Sequence, residues 1–203
     1  MQDTQQTAPG MAGASGFQTI PTRIRETPPL VVDSERSEIN RQVTERLTDL
    51  GTRLATVHRA AAEAYLSQGM YAQALPHAQA AATFAPKEPE YQNQLGFILY
   101  VQGDDAGAIT CFQNVLSADP GQADALFNLG MVQYGKQDYA GAEDCFRRAL
   151  EVHVQDAETW NNRGVCLHQM GRSAEARVCF ERALQVDPAN EDARANMAAI
   201  ARS

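Results

Sequence analysis

Ile39, Val43, Leu47, Leu50, Leu54 and Val57 follow one another at intervals of four or three residues. That period lays them in one stripe along an α-helix, with charged residues on the remaining faces. Asp33 or Ser34 supplies a helix cap ahead of the stripe, so the pattern predicts an amphipathic helix over 33–54. Gly51 either breaks this helix or merely weakens it. The stripe needs cover, and two covers are open: the domain that follows, or a second copy of the chain. Ahead of it, residues 1–32 carry mainly Gln, Thr, Ala, Gly and Pro, with too few apolar side chains to offset the entropy of ordering. This leader is expected to be disordered. Phe17 with Ile20, and Pro28 through Val32, are either short docking motifs or parts of a tail that binds nothing.

From residue 55 the chain repeats itself. Pro86, Pro120 and Pro188 lie one or two intervals of 34 residues apart, and Ala74, Ala108, Ala142 and Ala176 share that interval. So do Phe112, Phe146 and Phe180, and Gly96, Gly130 and Gly164. A fixed period of this length signals stacked supersecondary units. Each unit holds two helix-length segments, separated in three units by a turn glycine, Gly69, Gly103 or Gly171. The expected fold is all-α, a solenoid of four helical hairpins over 55–88, 89–122, 123–156 and 157–190, with a capping helix over 191–203. Small residues at the eighth place of each unit (Ala62, Gly96, Gly130, Gly164) would let the helices of a hairpin approach closely. Phe at the twenty-fourth place would fill the gap toward the next unit, and Pro at the thirty-second would stop the second helix.

The unit 157–190, with Trp160, Gly164, Leu167, Ala176, Phe180, Ala183 and Pro188, resembles the tetratricopeptide repeat. The unit 123–156 follows the same pattern but has Val154 for the Pro and Gln133 for the Tyr. The unit 55–88 has Ala78 where Phe is expected, and Pro76 within its second helix, where a kink is expected. A narrower likeness, carried by Gly164-Val165-Cys166, Ala174-Glu175-Ala176 and Cys179-Phe180-Glu181, is to the repeat-containing chaperones of type III secretion translocators.

The tetratricopeptide resemblance implies a protein ligand on a concave face lined by the first helix of each unit. Its implied groove residues are Asn93, Gln94, Phe97, Tyr100, Phe127, Asn128, Met131, Tyr134, Asn161, Asn162, Val165, His168 and Asn196. Carboxamides both donate and accept, so Gln94, Asn128, Asn162 and Asn196 suit an extended backbone. Phe97, Met131 and Val165 suit apolar anchors. Acids at the second place, Glu90, Asp124, Glu158 and Asp192, read either as partners of the helix dipole or as an acidic rim. A clamp for acidic peptide tails would need Lys and Arg where Asn93, Asn128 and Glu158 stand. The alternative face, for capping or for a homodimer, is Ile39, Val43, Leu47, Leu50 and Leu54.

Composition narrows the picture without redirecting it. Of the 203 residues, 33 are Ala, which suits closely packed helices. The net charge is -8, of which residues 55–203 carry -7 (11 basic, 18 acidic), the wrong sign for nucleic acid. Neither a membrane span nor a signal peptide is legible, and four cysteines fit a reducing cytoplasm. His77, Cys111, Cys145 and Cys179 share one place, but stacked units set equivalent places about 10 Å apart, too far to close on one metal. No nucleophile–base pair or phosphate loop is present, so no enzyme activity, cofactor or metal is expected. The function implied is a protein-binding adaptor or chaperone, the alternative a structural subunit of a larger assembly.

Overall fold

The computed structural model describes residues 33–201, all side chains from Glu35 onward. The leader 1–32, with Phe17, Ile20 and the Pro28–Val32 run, lies outside the described residues, as do Arg202 and Ser203. The chain divides into a unit ending at Gln42 and a unit beginning at Val43. Of the first, the described part is the start of α1. The second holds the repeats.

Nine helices are present among the described residues: α1 (Asp33–Leu66), α2 (Tyr71–Phe84), α3 (Pro89–Val101), α4 (Asp105–Ala118), α5 (Ala123–Gly135), α6 (Tyr139–Val152), α7 (Ala157–Gln169), α8 (Ser173–Val186) and α9 (Glu191–Ile200). From α2 onward each packs chiefly on its neighbours in sequence, while α3 also touches α5 and α7 touches α9. Odd-numbered helices thus share one side of the stack, and the repeat unit is an all-α solenoid. Among the described residues no helix is long and apolar enough to cross a membrane.

The hairpins are closed by a recurring size match. A Cβ on Gly96 would stand 2.7 Å from Phe112, one on Gly130 2.8 Å from Phe146, and one on Gly164 2.6 Å from Phe180. Each ring therefore seats on the glycine of its own hairpin. It also reaches the following unit, as expected: Phe112 clusters with Val132, and Phe146 with Cys166. Each ring is essentially inaccessible, a burial that contributes about 1.5–3 kcal/mol. The first hairpin solves the same problem differently. Ala62 faces Ala78, and Ile98 of the next unit completes their cluster.

The stripe that runs from Ile39 to Val57 is not the face α1 packs with. Val43, Leu47, Leu50 and Val57 are 49–66% exposed, Leu54 37% and Ile39 53%. The face turned to α2 is instead Gly51, Ala55, His58, Ala62 and Tyr65, again at intervals of four and three. Ala55 and Ala62 are fully buried, and His58 Nδ1 lies 3.0 Å from His77 Nδ1. Gly51 neither breaks nor ends α1. It passes the Phe84 carbonyl, which a Cβ would meet at 3.4 Å. Small side chains win this face because backbone proximity, rather than side-chain bulk, supplies the contact.

Punctuation differs between units. Pro76 sits inside α2 without ending it. The helix α6 stops at Val152 although no proline follows at the thirty-second place. Its exit is held by Trp160 Nε1, which donates to the Val154 carbonyl at 2.8 Å, and by Asp156, which caps α7. The turn between paired helices needs positive φ at one place in every unit: Gly69, Gly103 and Gly171 at 70°, 84° and 78°, and Gln137 at 64°.

Candidate functional site

Side chains from α1, α3 and α5 line a cavity of about 530 Å³: Arg59 and Glu63 from the first helix, Glu90, Asn93, Gln94 and Phe97 from the second, and Gln122, Asp124 and Asn128 at or beyond the start of the third. Residues four apart on a helix share a face. That periodicity sets Arg59 above Glu63, which its guanidinium reaches at 2.7 Å, and Glu90, Asn93, Gln94 and Phe97 in one strip. Glu90 and Asp124 lie in the first turns of α3 and α5, near the positive ends of the helix dipoles, and also line the cavity.

Asn93 is 9% exposed, and its Oδ1 is buried without a hydrogen-bond partner. Gln94 Oε1 is likewise buried and unpartnered. Two solenoid steps away, the equivalent of Asn93 is satisfied: Asn161 Oδ1 accepts from Asn196 Nδ2 at 2.8 Å, across an offset of 35 residues. Asn93 and Asn128 stand at the same offset, yet their rung is open.

A second, smaller cavity of about 170 Å³ lies between α5 and α7, lined by Met131, Tyr134, Phe146, Asn162 and Val165. Asn162 Nδ2 points at Met131 Sδ, 3.5 Å away. The sequence-implied groove residues therefore divide. Asn93, Gln94, Phe97 and Asn128 gather in the first cavity, and Met131, Tyr134, Asn162 and Val165 in the second. Phe127 borders a third hollow, of about 210 Å³, with Asp124, His153 and Glu158. Asn161 and Asn196 are bonded to each other, and His168 Nδ1 meets Ser173 Oγ at 3.2 Å. Tyr100 approaches Gly135, where its hydroxyl would lie 3.5 Å from a Cβ. Sequence reasoning missed Gln122, the α5 cap whose Oε1 accepts from Ala125 N at 2.6 Å. Its position ahead of a first-turn acid was the available signal.

The cysteines are packing residues. Cys111, Cys145, Cys166 and Cys179 are all buried. Burial pushes the Cys145 thiol up to about 11 and the Cys166 thiol up to about 12, so neither is a thiolate at neutral pH. Among the described residues no three His, Cys, Asp or Glu side chains gather as metal ligands would.

Comparison with known proteins agrees with this architecture. Sequence models of the tetratricopeptide repeat match residues 157–190, and 59–123 with 93–151. Among curated proteins nothing matches significantly. Among solved structures, MamA (residues 41 to the end) from Desulfovibrio magneticus RS-1 superposes with a TM-score of 0.64 at 20% identity, over 73% of this chain and 90% of that one. A structure from the functional characterisation of Pseudomonas aeruginosa PilF gives 0.69 at 19% identity, over 75% and 69%. The first tetratricopeptide domain of Spaghetti (RPAP3), bound to the HSP90 peptide SRMEEVD, gives 0.55 at 22% identity, over 56% and 90%. At these identities the likeness concerns the fold.

Proposed function

Because the chain belongs to the tetratricopeptide repeat family, we propose that it is a non-enzymatic adaptor that holds a segment of a partner protein along the side formed by α1, α3, α5 and α7. The observation that carries this reading is the pair of cavities on that side, one polar with Phe97 at its wall, one apolar around Met131 and Val165. The first offers unpaired carboxamide oxygens to N–H donors of the segment, the second takes apolar anchors. A structural neighbour bound to a peptide shows that this fold can serve such a purpose. Service as a chaperone, including one for secretion translocators, is a narrower form of the same reading, and permanent burial in a larger assembly is its alternative.

The test is to capture partners from the native cell on the full chain, identify them by mass spectrometry, and repeat the capture with Phe97→Glu and Met131→Glu. Loss of the partner from variants that keep their helical circular dichroism supports groove binding. Retention of the partner by both variants removes it.

A further inference from the structure

We propose that the larger cavity is a subsite for an arginine side chain of the bound segment. The proposal rests on the groove reading above and specifies what that groove selects. Three carboxylates, Glu63, Glu90 and Asp124, line the cavity against one cation, Arg59, and that cation is already bonded to Glu63 at 2.7 Å. Glu90 and Asp124 therefore present negative charge from the starts of two different helices to one hollow.

Charge alone would admit any cation; the uncharged groups narrow the choice. Asn93 Oδ1 and Gln94 Oε1 are buried acceptors without donors, and a buried acceptor left unpaired costs more than an exposed one. The rung between Asn93 and Asn128 is open where its counterpart at Asn161 and Asn196 is closed, which leaves Asn93 Oδ1 to accept from a ligand. With the carboxylates of Glu90 and Asp124, these two oxygens favour a ligand group that offers several N–H donors. Guanidinium has five, in a rigid planar fork, whereas an ammonium has three around a point. Phe97, 40% exposed on the same wall, supplies an aromatic face of the kind on which guanidinium stacks. The peptide SRMEEVD held by a structural neighbour carries three acidic residues, which would meet carboxylates here.

The experiment uses the full chain labelled with ¹⁵N and with ¹³C-methyl groups, titrated with four blocked tripeptides: Ala-Arg-Ala, Ala-Lys-Ala, Ala-citrulline-Ala and Ala-Leu-Ala. The arginine peptide is expected to shift the side-chain amide signals of Asn93, Gln94 and Asn128 saturably. Citrulline, with nearly the same shape and no charge, should bind at least about tenfold more weakly, and lysine should fall between. The variant Glu90→Gln/Asp124→Asn should lose about tenfold for the arginine peptide and keep its response to the leucine peptide at Met131 and Val165. Equal binding of citrulline and arginine overturns the proposal, as does unchanged arginine binding by the double variant. Shifts at Met131 and Val165 with leucine, beside silence at Asn93 and Gln94 with arginine, refute the subsite and leave the groove standing. Silence at both cavities with all four peptides refutes both.

Discussion

Adding one methyl group to Gly164 should destabilise the protein, although the same change elsewhere in a helix stabilises it. Gly164 lies in the middle of α7, where replacing Gly by Ala gains about 1 kcal/mol in helix propensity. Its new Cβ would sit 2.6 Å from Cε1 of Phe180, and that ring is 1% exposed and has nowhere to retreat. Overpacking of this kind costs about 1–3 kcal/mol, so the net effect is a loss of about 1 kcal/mol. For a chain of this size that lowers Tm by about 2–4 °C. Gly51→Ala is the internal control, since its Cβ meets only the Phe84 carbonyl, at an ordinary 3.4 Å; it should raise Tm by a similar amount. A third variant, Gly164→Ala/Phe180→Leu, removes the ring that collides. Urea denaturation of the cycle should show a favourable coupling of about 0.5–1 kcal/mol or more between the two changes. If Gly164→Ala stabilises as much as Gly51→Ala, or if the coupling is zero, the ring does not seat on the glycine and the account of hairpin closure is wrong.

Three further outcomes follow from the structure. Gln137→Gly should stabilise by about 0.5–1 kcal/mol in urea denaturation, because a side chain at φ 64° bears left-handed strain that glycine lacks; Gly103→Ala, whose Cβ would touch nothing within 4 Å, should lose stability for the same backbone reason. If the exposed stripe of α1 pairs with a second copy, Leu47→Glu/Leu50→Glu should halve the mass measured by light scattering, and an unchanged mass excludes pairing through that stripe. The buried thiols tie stability to alkaline pH: unfolded cysteine ionises near its ordinary value of 9.0, whereas folded Cys145 and Cys166 hold their protons to about 11 and about 12. The unfolded state therefore binds fewer protons between those values, and stability should fall as pH rises above about 9; replacing both cysteines with Ala should flatten that limb of the urea midpoint against pH.

The repeat was legible because its signal is redundant. Ala, Phe and Gly recur at one interval in several units, so a substitution in any one unit leaves the period visible. What the period hid were the places where one unit departs from the others. Gln137 occupies the turn position that glycine fills three times, and composition alone gives no reason to look there. The packing face of α1 was misassigned because larger side chains dominate a hydrophobicity pattern, while this interface is made by Gly51, Ala55 and Ala62. The candidate groove residues lie on α3, α5, α7 and α9, and their division between a polar and an apolar cavity depends on neighbours one unit away. The bond from Asn196 to Asn161, and its absence at Asn93, is likewise a relation between units that no single 34-residue window contains.

The size match inside each hairpin bears on how such a chain grows by duplication. The residues that must agree are the eighth and twenty-fourth places of one unit and the tenth place of the next: Ala62, Ala78 and Ile98 in one set, Gly96, Phe112 and Val132 in another. Each matched set therefore runs past the end of the repeat that the sequence displays and overlaps the next set. A copy cut at residues 88 and 89 would separate Ile98 from the two alanines it covers. A tandem copy of 55–88 joined there would bring Ala64 to the tenth place beside those alanines and leave a void. Because Gly96 precedes Ile98 while Phe112 and Val132 follow it, consecutive sets interlock, and no break within α3 leaves both intact.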